Sequence, residues 1–165
     1  MSHFKYFSKK LFIEKASVLR ILKKNKTPFY LYSEKQIKEN YINFAEIFKI
    51  VNPLVCFAAK ANSNLSIMRM LGKLGSGADV VSGGELLKAL KAGIKPNKIV
   101  FSGVGKTEDE LKLAIRKKIL LINVESESEA ILINKIGKKI NKIYVTFQIF
   151  RRKIIYRKYF CPSHC

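Results

Sequence analysis

The chain has 165 residues, 48% of them hydrophobic, enough to bury one core, and no apolar run nears the roughly 20 residues of a membrane span. Its net charge of +20 comes from lysines spread among isoleucines and asparagines along the whole length, a bias that fits an AT-rich coding sequence as well as it fits a binding surface. With no zinc-finger spacing, RNP pattern or other reading module, no specific nucleic-acid partner is expected, only salt-sensitive sticking to polyanions.

Lys9 and Lys10 lead to Glu14 and Lys15 rather than to a signal-peptide core, so a cytoplasmic protein without a membrane partner is expected. Leu11, Ile13, Val18, Leu19, Ile21 and Leu22 predict a helix over 11–24. Thr27-Pro28 stops it, because a residue before proline avoids the helical region. Phe29 to Tyr32 predict a strand. Ser33, with Gln36 three residues on, predicts a capping box opening a helix whose face holds Ile37, Tyr41, Phe44, Ile47 and Phe48.

Asn52-Pro53 ends that helix, and a regular alternation begins. Predicted strands are Leu54–Ala59, Ala78–Val81, Ile99–Ser102, Leu120–Val124 and Ile143–Ile149. Between them the pattern predicts helices over about 65–74 and 85–91, one capped by Thr107 and running to about Lys117, and one opened by Ser126 or Ser128 and running to about Lys139. Strands alternating with helices of this length imply right-handed βαβ units and a parallel sheet.

One lysine stands out. In P-L-V-C-F-A-A-K-A-N-S-N, Lys60 directly follows an apolar run fit for a buried strand. Lysine is almost never buried without a partner. At a strand end it can snorkel to solvent, or it can be desolvated, which leaves the amine partly neutral and nucleophilic. Such an amine forms Schiff bases with aldehydes, pyridoxal phosphate among them.

Four motifs in order, C-F-A-A-K-A-N-S-N, G-A-D-V-V-S-G-G-E-L, I-V-F-S-G-V-G-K-T-E-D-E-L and I-N-V-E-S-E-S-E, resemble the diaminopimelate decarboxylases of the ornithine/diaminopimelate/arginine decarboxylase family. H-F-x-Y, L-F-I-E and T-P-F-Y-L-Y-S upstream are similar to the opening of the same family, so the likeness runs from about His3 to about Val145. The resemblance implies an α/β fold: a partial (β/α)8 barrel of the alanine-racemase-like kind, truncated after about five strands. It implies a division into an N-terminal β-domain segment (1–32), a partial barrel (33–149) and a divergent tail (150–165). It implies pyridoxal 5'-phosphate held covalently by Lys60, with Asp79 in the wall of the cofactor pocket. The implied reaction removes a carboxylate from meso-diaminopimelate to give L-lysine, in a homodimer. Ornithine- or arginine-type decarboxylation and a non-catalytic pyridoxal-phosphate-binding protein are the alternatives. The family's ring-stacking histidine, phosphate loop and ring-nitrogen acid belong to its second half, so this chain alone is expected to be an inactive fragment.

Other features read as structural. Ser82 suits an N-cap and Glu85 a first-turn acid, a role that competes with any part in the site. Gly103-Val104-Gly105-Lys106-Thr107 lacks the first glycine of a P-loop, because Val100 stands there, and reads as a loop capped by Thr107. Cys56 reads as a core residue. Cys161, His164 and Cys165 lack a fourth ligand, and no metal is expected. After Phe147 the basic, glycine-free stretch departs from the family, with Gln148 where the family has an arginine; a frameshift or premature end is expected, with Phe150 to Cys165 read out of frame, a real basic tail being the alternative.

Overall fold

The structure is a computed structural model that describes residues 3–137 and the backbone of 145–147. The chain divides into two compact units, one ending at Pro53 and the other beginning at Leu54.

The first unit holds a three-stranded antiparallel sheet of β1 (Phe4–Phe7), β2 (Lys10–Ile13) and β3 (Ala16–Ser17). The short helix α1 (Val18–Leu22) follows. The helix expected over 11–24 is thus half right. Ser8 and Lys9 both take left-handed backbone (φ 45° and 60°) and fold Phe7 onto Lys10. That two-residue turn matches the twist of a hairpin. Pairing with β1 then overrides a spacing that also fits a helix. The strand expected at Phe29–Tyr32 is not formed, because none of the described residues offers it a hydrogen-bonded neighbour.

Helix α2 (Glu34–Ile47) starts where Ser33 predicts. Ser33 Oγ accepts from the Gln36 amide at 3.0 Å and donates to Glu14 Oε1 at 2.7 Å. Only half of the capping box forms, because the Gln36 side chain turns to Asn40 instead.

The second unit is a parallel sheet ordered β4-β5-β6-β7-β8, with strands Cys56–Ala58, Gly77–Val80, Ile99–Phe101, Leu121–Val124 and Val145–Phe147. Helices α3 (Leu65–Lys73), α4 (Gly83–Lys91), α5 (Glu108–Lys117) and α6 (Glu127–Gly137) connect successive strands. The predicted alternation is present throughout. The fully buried core lies between sheet and helices: Ala78, Val80, Ile99, Phe101, Ile122 and Val124 from the strands meet Met68, Leu86, Leu111 and Ile133. Alternation along each strand sends the intervening residues to the other face.

Gly77 opens β5 between Cys56 of β4 and Lys98, the residue before β6. A Cβ there would lie 2.3 Å from the Lys98 carbonyl oxygen and 2.7 Å from Cys56 Sγ, so no side chain fits.

Candidate active site

The face of the sheet away from the helices carries the residues of interest. Register places Ala58 beside Asp79, Asp79 beside Val100, and Val100 beside Leu121. In a parallel sheet such neighbours share a face. The next residue outward on β4's side is Lys60, in a 3-10 turn over Ala59–Ala61. Lys60 therefore leaves the sheet at the C-terminal end of β4, diagonal to Asp79. Its side chain is exposed, whereas Ala59 before it is fully buried on the helix side. The desolvation expected of a nucleophilic amine is not supplied by the described residues.

Asp79 is half-buried, and its Oδ1 is buried with no hydrogen-bond partner among the described residues. A buried carboxylate oxygen without a donor is costly. Next to it lies Cys56, whose thiol burial pushes up, with the Asp79 charge adding to the same effect.

Further along the same end, Ser102 follows β6 and Asn123 lies in β7. Because Phe101 pairs with Ile122, the next residues face each other, and Asn123 Nδ2 donates to Ser102 Oγ at 2.9 Å.

The loops of this rim are tied by carboxylates. Glu85 Oε2 accepts from the Val81 amide at 2.9 Å, and Ser82 Oγ caps α4 through the Glu85 amide at 3.2 Å. Glu85 and Ser82 thus do structural work, as their positions in the sequence suggest. Glu110 closes a full capping box with Thr107 and also accepts from the Gly83 amide at 2.7 Å. These donors, the Gly83 amide foremost, hold the Glu110 carboxyl below its ordinary range.

Lys106 is turned inward, not toward a phosphate. Its Nζ donates to Gly103 O at 2.6 Å, Asn123 O at 2.7 Å and Glu129 Oε1 at 3.0 Å. It also lies 5.8 Å from the centre of the Phe101 ring. Glu129 accepts in addition from the Glu125 amide at 2.8 Å. With three acceptors the ammonium is saturated, which removes any P-loop role.

The structure places Lys60 and Asp79 at the same end of adjacent strands. The sequence pattern does not single out Ser102, Asn123 or Glu129. Their signal is the period of two: Val100 with Ser102, and Leu121 with Asn123, alternate against buried residues, so each strand turns polar where it ends. Cys161, His164, Cys165 and Gln148 lie outside the described residues. Among the described residues no cluster of metal-ligating side chains occurs.

The family described as pyridoxal-dependent decarboxylase, pyridoxal binding domain, matches residues 34–152. The chain is 55% identical over 115 residues to the diaminopimelate decarboxylase of Helicobacter pylori, a match covering 70% of this chain and 28% of that protein. It is 45% identical over 140 residues to the diaminopimelate decarboxylase of Aquifex aeolicus, covering 85% of this chain and 33% of that protein. The crystal structure of the diaminopimelate decarboxylase of M. jannaschii in complex with L-lysine superposes with a TM-score of 0.83 at 41% identity, covering 87% of this chain and 35% of that one. The chain thus spans 28 to 33% of the length of these curated relatives. The parallel sheet with its helices is part of an alanine-racemase-like barrel.

Proposed function

This chain belongs to the family of pyridoxal-dependent decarboxylases, and on that footing we propose that it carries the lysine-bearing part of a diaminopimelate decarboxylase. The reaction is removal of one carboxylate from meso-diaminopimelate to give L-lysine. The observation that carries the reading is the placement of Lys60 two residues beyond Ala58, the register partner of Asp79: an exposed amine and a buried carboxylate oxygen with no partner among the described residues, at the C-terminal ends of neighbouring strands. That end is where barrel enzymes bind and react.

The residues fit pyridoxal 5'-phosphate at its aldehyde end. The Lys60 amine would be the covalent attachment point for the cofactor's aldehyde. The Asp79 carboxylate favours a protonated nitrogen beside it, and an N–H donor there satisfies the orphaned Oδ1. When bound, the cofactor supplies an electron sink for the pair left behind as carbon dioxide departs. Glu85, Glu110 and Glu129 keep the surrounding loops in place through the amides of Val81, Gly83 and Glu125.

Residues 33–149 as barrel and 1–32 as a segment of the accompanying β-domain belong to the same proposal, as do a homodimer and a cytoplasmic location. No helix among the described residues is long and apolar enough to cross a membrane.

The test is direct. Purified chain is mixed with pyridoxal phosphate, the visible absorbance band is recorded, and the adduct is reduced with borohydride and mapped by peptide mass. The expected result is one modified peptide carrying Lys60, lost in Lys60→Ala. Labelling scattered over surface lysines, unchanged by Lys60→Ala, overturns the reading.

A further inference from the structure

We infer that Ser102 is a hydrogen-bond donor to the ligand held at Lys60, oriented for that task by Asn123. The inference rests on the reading of Lys60 as the pyridoxal-phosphate lysine.

Ser102 lies two residues beyond Val100, which neighbours Asp79, so it continues the face that carries Asp79 toward the strand ends. Its backbone amide is fixed by Val80 O at 2.8 Å. A serine hydroxyl has one proton to give and two lone pairs. One lone pair is taken by Asn123 Nδ2, at 2.9 Å. No acceptor among the described residues takes the proton, and the side chain is only half-buried. The hydroxyl is thus poised to donate to an oxygen of a molecule bound over this face.

Asn123 is itself held. Its carbonyl oxygen accepts from the buried Lys106 ammonium at 2.7 Å, and the same ammonium grips Gly103 O beside Ser102. Lys106 therefore fixes both strand ends at once. A buried ion pair is a poor source of net stability compared with apolar packing, whereas it sets the geometry of every carbonyl that it holds. Lys106 and Asn123 are positioning residues, and Ser102 is the group that touches the ligand.

The experiment titrates pyridoxal phosphate into the full chain and into Ser102→Ala, Asn123→Asp and the double variant, reading the visible adduct band. Thermal unfolding without cofactor is recorded alongside. Ser102→Ala is expected to raise the half-saturating concentration on the order of tenfold, as for one lost hydrogen bond to a charged acceptor, with cofactor-free unfolding unchanged. Asn123→Asp turns the Ser102 proton onto its own carboxylate, so it is expected to cost more in the parent than in the Ser102→Ala background. A Ser102→Ala chain that forms the Lys60 adduct as readily as the parent overturns this inference and leaves the reading of Lys60 intact. An Asn123→Asp effect equal in both backgrounds, or an affinity loss matched by a loss of cofactor-free stability, overturns it as well. Absence of any Lys60 adduct in the parent overturns both.

Discussion

Lys106 Nζ and Glu129 Oε1 lie 3.0 Å apart with both side chains buried, the lysine at 1% exposure. The pair joins the loop after β6 to the first turn of α6. Removing one partner strands the other charge in the interior. Lys106→Met is therefore expected to destabilise the second unit by about 3–5 kcal/mol, while Lys106→Met with Glu129→Leu recovers most of that loss. Urea unfolding followed by far-ultraviolet circular dichroism checks this, since the chain has no tryptophan to report by fluorescence. A double variant as unstable as the single one would sink the argument.

Glu110 gives a pH dependence. Its carboxyl is held below the ordinary glutamate value by the Gly83 amide first and then by Thr107. The folded state therefore binds its proton less readily than the unfolded chain does. Its stabilising contribution is complete above the ordinary value of about 4.3 and is lost as pH falls through the lower folded-state value. Glu110→Gln is expected to cost about 1–2 kcal/mol near neutral pH, and the gap to the parent should close on acidification. Thermal midpoints of both chains across the acid range decide it; a constant gap contradicts the assignment.

Gly77 is required by space. Gly77→Ala brings a Cβ to 2.3 Å from the Lys98 carbonyl oxygen, a backbone atom that cannot swing away. β5 must move away from the Lys98 segment that leads into β6 and from the Cys56 side chain of β4, at a cost of about 2 kcal/mol or more. Because β4 leads into Lys60, the same change should also weaken the pyridoxal-phosphate adduct. Measuring stability and adduct together tests both links of the claim. A chain that melts like the parent would show that the strands accommodate the methyl.

Asp79 separates folding from ligand chemistry. Its Oδ1 is unpartnered, so Asp79→Asn removes a charge that the fold does not use. Cofactor-free stability is expected to hold or rise. The adduct at Lys60 should weaken, because a neutral amide no longer favours a protonated nitrogen beside it. Calorimetry of the cofactor-free chain and absorbance titration give the two numbers. A fall in both would make Asp79 a structural residue.

The sequence by itself determined the βα alternation, and with it the end of the sheet at which Lys60 and Asp79 would lie. Helix caps at Ser33, Ser82 and Thr107 were legible because a cap acts within three or four residues of chain. Lys60 was legible because it directly follows a short apolar run, where a polar residue breaks the pattern; Asp79 stands inside its run, between Ala78 and Val80, and only the family resemblance marked it out. Tertiary structure decided the rest. The segment around Leu11 to Ile13 has apolar residues that suit a helix or a strand, and only pairing with Phe4 to Phe7 chose the strand. Phe29 to Tyr32 had strand composition and no strand partner among the described residues. Lys106 looked like a loop lysine, and its burial depends on acceptors from three separate segments, at Gly103, Asn123 and Glu129. The contact of Asn123 with Ser102 spans 21 residues and exists only once two strands pair. Local sequence fixes what each short segment prefers; which polar groups meet is set by register between strands, and register is a property of the whole sheet.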